Sequence, residues 1–143
     1  YKNISLNPQF EKTITIIENP LWDESGVKMF YDDNGPGSRV SAKPLAGHKD
    51  EVHTISIDDF VNREQLDKVD LIKMDIEGAE QYALKGAEKT LRRFKPTLAI
   101  SIYHNMSDFA NVVHLINNLN LSYKFYLNHF TIHSEETVLY AKA

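Results

Sequence analysis

Apolar positions along the chain change period several times, and each change marks an expected element. A β-branched run at residues 13–17 (TITII), stopped by Asn19 and Pro20, predicts a strand. Residues 26–32 (GVKMFYD) predict a second, weaker one. Residues 52–60 (VHTISIDDF) alternate with period two and predict a half-buried strand. Residues 69–76 (VDLIKMDI) read as a short, mostly apolar strand. From Gly78 the spacing turns helical through Ala79, Tyr82, Ala83, Gly86, Ala87, Leu91 and Phe94, and Lys95-Pro96 closes the helix. The nearly continuous apolar run at 97–103 (TLAISIY) predicts a strand covered on both faces. Ser107 offers an N-cap to a helix carrying Phe109, Val112, Val113, Ile116 and Leu119 on one side. Strands at 122–127 and 136–143, joined by a short polar connection, predict an antiparallel pair.

This order of elements predicts an α/β fold whose sheet is parallel in the middle with an antiparallel edge. Residues 33–51 (DNGPGSRVSAKPLAGHKDE) have no periodicity, and a loop of that length in a compact domain is functional or disordered. The opening YKNISLNPQF reads as the tail of a helix. At 143 residues the chain fits a single domain, 1–143, with room for a sizeable core. A formal charge of −4 argues against nucleic acid as the main partner. The absence of cysteine removes disulfides, thiolate metal sites and a cysteine nucleophile, and it fits a reducing, cytoplasmic compartment. No apolar run approaches membrane-spanning length.

Ligands of open α/β sheets bind beyond the carboxyl ends of the strands, where several polar residues here gather. Asp75 and Glu77 follow one strand, and His104-Asn105 follow the next, with Asp108 soon after. Asn19, Trp22 and Asp23 follow the first. A partly desolvated acid such as Asp75 can act as a general base or hold a cationic ligand. Gly78 lets a ligand or another backbone approach the helix start. Glu80, and in part Glu77, read as acids favouring the positive end of that helix. Lys89, Arg92, Arg93 and Lys95 read as a solvated face at its other end. His129 and His133 would suit a metal only on a helix and with a third ligand, so no metal site is assigned. Tyr123, Phe125, Tyr126 and Phe130 read as core and edge packing. No phosphate loop of P-loop or dinucleotide type is present.

The segment VDLIKMDIEGAEQYALKGAEKTL resembles the signature of FkbM-type methyltransferases. ENPLWDESG, DNGPGSRVS, ISIDDF, SIYHNMSDF and the closing YKFYLNHFTIHSEETVLYA resemble further segments of that family, in order along essentially the whole chain. The resemblance implies a Rossmann-like methyltransferase sheet, mostly parallel, ending in an antiparallel pair. It implies S-adenosylmethionine as cofactor and methyl transfer to a hydroxyl of a sugar or secondary metabolite. Carried over by position, Asp75, Glu77 and His104 are the catalytic candidates, and Asn19, Pro20 and Leu21, with Asp75, approach the cofactor. Ser38, Arg39, His104 and Asn105 lie on the side of a small-molecule or glycan acceptor. The family's glycine-rich first strand and the strand after it are not found, so the resemblance covers the C-terminal two-thirds of the domain. On that basis the isolated fragment is expected to bind cofactor weakly or not at all, and to expose sheet edges able to pair in a homo-oligomer. A non-catalytic binding or assembly module is the alternative expectation, and transfer assisted by a divalent ion on Asp75 and a histidine is a third.

Overall fold

A computed structural model describes residues 2–32, 39–41, 51–133 and 135–143. Along the chain come a short helix α1 (Lys2–Ser5), strands β1 (Lys28–Asp32), β2 (Arg39–Ser41) and β3 (Glu51–His53), and helix α2 (Ile57–Arg63). Strand β4 (Leu71–Met74), helices α3 (Glu80–Lys85) and α4 (Glu88–Phe94), strand β5 (Thr97–Ser101) and helix α5 (Asp108–Asn118) follow. Strands β6 (Lys124–His129) and β7 (Thr137–Lys142) close the chain. The strands form two sheets: a small antiparallel one ordered β2-β1-β3 and a mixed one ordered β4-β5-β7-β6.

The mixed sheet meets the expected polarity only in part. Among the described residues its parallel pair lies at one edge and the middle pair is antiparallel, so it is not mostly parallel. β4 and β5 run parallel, while β7 is antiparallel to both β5 and β6. Register explains why one face is apolar. Ile72 pairs with Leu98 and Met74 with Ile100, and these continue across β7 to Ala141 and Leu139. Period two puts all six on the same face. Against it pack Ala83, Leu84, Ala87, Leu91, Val112 and Ile116 from α3, α4 and α5. Burying each of the larger aliphatic side chains contributes about 1.5–3 kcal/mol.

Several expected elements take another form. Residues 14–18 join no ladder among the described residues, and Ile14 and Ile16 are exposed. β-Propensity needs a neighbouring strand, and pairing begins later, at the parallel bridge between Leu21 and Ile55. The alternating run at 52–60 divides at Ser56, whose side chain accepts from Asp59 N–H and caps α2. The helix expected from Gly78 to Phe94 is two helices. A Cβ on Gly86 would stand 2.3 Å from Trp22 O, and Asp58 receives Lys89 N–H and Thr90 N–H to start α4. Small residues at the break keep the apolar period unbroken, so the pattern conceals it. Ser107 makes no side-chain cap; the carboxylate of Asp108 takes Asn105 N–H instead. Thr97 and Ala99 are half-buried, so β5 is covered fully on one face only. β4 lies at the edge of its sheet among the described residues, with Leu71 59% exposed. Tyr123 is buried and donates to Pro96 O at 2.8 Å, whereas Tyr126 and Phe130 are exposed.

Candidate functional site

β4 delivers Asp75 to the carboxyl edge of the mixed sheet, and the chain turns at once into α3. Ala79 N–H donates to Ile76 O at 3.2 Å, closing a tight turn. Its central residues, Glu77 at φ +55° and Gly78 at φ +96°, are both left-handed. Glycine tolerates this, whereas a residue with a Cβ is disfavoured by roughly 1–2 kcal/mol. A Cβ at position 78 would also meet Asn105 Nδ2 at 3.1 Å. The carboxylate of Glu80 reaches back to accept Ile76 N–H at 2.9 Å, which holds the turn against the first residue of the helix.

Because β5 is the parallel neighbour of β4, its end brings Tyr103 and His104 beside that turn. The His104 side chain is 9% exposed. Its Nε2 stands 3.6 Å from Asp75 Oδ1 and 3.7 Å from Glu77 Oε2, and its Nδ1 stands 3.1 Å from Glu80 Oε1. The two Nε2 approaches are too long for hydrogen bonds and the Nδ1 approach is not aligned for one, so both ring nitrogens and Glu80 Oε2 are buried without a partner. An unsatisfied buried polar group ordinarily costs about 1–3 kcal/mol, which makes three together a feature requiring a reason.

Asp75 is better supplied. Its Oδ1 accepts from Tyr103 OH at 3.1 Å, and Lys73 Nζ lies 3.4 Å from Oδ2. Desolvation first, then the negative charge of Asp75, pushes the Tyr103 hydroxyl up to about 12, so it stays protonated and donating at neutral pH.

In front of these acids lies a cleft of about 410 Å³. Asn19, Pro20 and Leu21 form one wall, Asp75, Glu77 and Ala79 the floor, and Tyr31, Val40 and Val52 of the small sheet the opposite side. The wall is held by backbone bonds from Ile55 N to Pro20 O (2.9 Å) and from Trp22 N to Ile55 O (3.1 Å). Asn19 Nδ2 donates to His53 O at 2.8 Å, and Trp22 stacks on Tyr82 with ring centroids 3.9 Å apart. The fold therefore brings Asn19, Pro20, Leu21, Asp75 and Glu77 together around one space. His104 lies behind the acids rather than on the cleft surface.

The acceptor-side candidates divide. Arg39 belongs to β2, whose next residue, Val40, lines the cleft. Ser38 lies outside the described residues. Asn105 does not line the cleft; its backbone N–H and its amide both donate to Asp108 Oδ2 at 3.2 Å. His129, in β6, holds Thr137 Oγ1 at 2.8 Å from its Nδ1, and His133 is exposed in the following turn.

Sequence reasoning missed Glu80 and Tyr103. Glu80 is 0% exposed, in place of the helix-end acid expected there. A usable signal existed, because position 80 precedes Ala83, Leu84 and Ala87 by three, four and seven residues and so lies on the buried stripe. Tyr103 was absorbed into an apolar strand pattern that says nothing about its hydroxyl.

Residues 1–125 match the family model described as the Methyltransferase FkbM domain. Among solved structures, the chain is similar to the crystal structure of Methyltransferase FkbM from Methylobacillus flagellatus KT. The two share 27% sequence identity with a TM-score of 0.71, over 98% of this chain and 31% of that one. The chain thus spans about a third of the length of the solved relative it matches. No curated protein matches it.

Proposed function

The chain belongs to the FkbM methyltransferase family, and on that premise we propose that it serves S-adenosylmethionine-dependent methylation of a hydroxyl on a sugar or secondary metabolite. The observation that carries the reading is the cleft itself: an apolar wall facing a floor of two carboxylates. The mixed sheet is read as part of a Rossmann-like methyltransferase domain spanning residues 1–143, working in the cytoplasm.

The residues present fit the cofactor. Pro20 and Leu21 offer an apolar surface for a planar base, and Asn19 stands beside them with its amide anchored on His53 O. Asp75 and Glu77 give the floor a negative potential, which favours a cationic ligand over an anionic one. S-adenosylmethionine, when bound, supplies a methyl group on a cationic sulfonium. The acceptor hydroxyl must lose its proton as it attacks. Asp75, held by Tyr103, orients that hydroxyl, and the pair Asp75 and Glu77 provides the carboxylate oxygens that take the proton. His104 and Glu80 support the two acids from behind. By the family resemblance, Ser38 and Arg39 are assigned to the acceptor side.

The test is Asp75→Asn in the full-length protein, with transfer of labelled methyl followed on a panel of hydroxylated acceptors. Turnover is expected to fall by roughly 10²–10⁴-fold. The thermal midpoint should hardly move, since Asp75 is a partly exposed side chain outside the core. Near-wild-type turnover would reject the role, and methyl recovered on nitrogen or carbon instead of oxygen would reject the reaction class.

A further inference from the structure

Behind the floor of the cleft, three potential metal ligands converge. One carboxylate oxygen each from Asp75 and Glu80 and one nitrogen of His104 lie within 4.8 Å of one another. We propose that this corner is a binding site for a divalent transition-metal cation held by Asp75, Glu80 and His104, with Glu77 beside it as a further donor.

The cluster does not stand on its acids alone. His104 is more than nine-tenths buried and both its ring nitrogens lack a hydrogen-bond partner, as does Glu80 Oε2. These are donor atoms of the kind that ligate metals, and protein groups that could have satisfied them are already near without doing so. Glu80 Oε1 is 3.1 Å from Nδ1 and Asp75 Oδ1 is 3.6 Å from Nε2. One ion takes only one of the two ring nitrogens, and the set of one nitrogen and two carboxylate oxygens lies within 4.8 Å. Ligands at metal bond lengths of about 2.1 Å stand roughly 3.0–3.4 Å apart, so the side chains close in by about an ångström. Charge points the same way. The carboxylates of Asp75, Glu77 and Glu80 surround one imidazole, and among the described residues Lys73, 3.4 Å from Asp75 Oδ2, supplies one cation at the outer side. A divalent ion would offset that charge and take one ring nitrogen, leaving the other as an N–H able to donate to a neighbouring carboxylate.

The donor set selects the ion class. Imidazole favours Zn²⁺ and Fe²⁺ and carboxylates favour Mn²⁺ and Mg²⁺, so a mixed nitrogen–oxygen set suits Mn²⁺, Fe²⁺ or Zn²⁺ above Ca²⁺ or Mg²⁺. The ligands are anchored by opposite sides of the site. Glu80 is fixed by Ile76 N–H and Asp75 by Tyr103 OH, an arrangement that orients first ligands through second partners. The site goes beyond the transferase reading and does not depend on it, although an ion there would draw an acceptor oxygen to the same corner as the acids.

The experiment is calorimetric titration of the chelator-treated full chain with MnCl₂, repeated with ZnCl₂ and MgCl₂, and the loss of the free Mn²⁺ resonance signal as an independent readout. One saturable site is expected, with Mn²⁺ and Zn²⁺ bound at least tenfold tighter than Mg²⁺. Asp75→Asn, Glu80→Gln and His104→Gln should each weaken Mn²⁺ binding tenfold or more, while Asp67→Asn, an exposed acid elsewhere, leaves it unchanged. Circular dichroism of each variant separates lost ligands from lost folding. Absence of saturable binding, or equal binding by all four variants, would overturn the site. Methyl transfer that persists in chelator without binding would sink the metal site alone. Binding without methyl transfer would sink the transferase reading alone.

Discussion

Asp108 and Glu80 are buried to nearly the same degree, 1% and 0% exposed, and they lie on either side of the same loop after β5. Their surroundings differ completely. Asp108 receives Gln81 Nε2 at 2.6 Å and both the backbone N–H and the amide of Asn105 at 3.2 Å. Glu80 receives a single N–H, from Ile76, on the oxygen that also lies 3.1 Å from the His104 imidazole, and its second oxygen has no donor. A buried carboxylate that joins α3 to the start of α5 is wrapped in donors, because that is how the fold offsets its desolvation. A buried carboxylate left half-satisfied next to an equally unsatisfied histidine is arranged for something that arrives from outside. Adjacent residues on one helix, Glu80 and Gln81, thus belong to two kinds of polar interior.

Replacing each acid by its amide tests this contrast directly. Asp108→Asn keeps the shape but turns an NH₂ group toward donors that need an acceptor. Urea unfolding should report a loss of about 2–3 kcal/mol. Gly78→Ala is intermediate. Its site touches both corners, with Asn105 Nδ2 and His104 Cβ nearest, and the φ of +96° adds strain, so a loss of about 1–2 kcal/mol is expected from the same measurement. Glu80→Gln should have the smallest effect. Its oxygen can retain Ile76 N–H, its NH₂ replaces an atom that had no partner, and a buried charge is removed. In metal-free protein its stability should stay within about 0.5 kcal/mol of wild type or rise. An Asp108→Asn protein as stable as wild type, or a Glu80→Gln protein that loses as much as Asp108→Asn, would erase the distinction between the corners.

Much of this was legible from periodicity. The parallel β4 and β5, the helix α5 and the closing β6–β7 pair follow from patterns whose burial is decided within the element. The small sheet and the wall of the cleft were less so. The TITII run has strand chemistry but no ladder among the described residues, and pairing falls instead on residues 20–22, where Pro20 and Trp22 disguise it. VHTISIDDF is strand only at its start, residues 54–57 are all buried, and Ser56 already caps a helix; local alternation cannot weigh a cap against a strand. The break at Gly86 is set by Trp22 O, a contact between segments far apart in sequence. Within the candidate site, the acids after β4 were visible because strand ends are where charge interrupts apolar runs. Glu80 was hidden by the opposite circumstance, a charge sitting on the buried stripe of a helix whose first turn makes any acid look ordinary.

The Gly86 contact also has a mechanical meaning. With no side chain there, α3 seats directly on the backbone of Trp22 and Asp23, and the Trp22–Tyr82 stack clamps the same joint one turn earlier. One side of the cleft is thereby riveted to the helix that carries its floor. The same wall is tied on its other side to β3, through Asn19 Nδ2 on His53 O, so a single segment couples the helix to the small sheet.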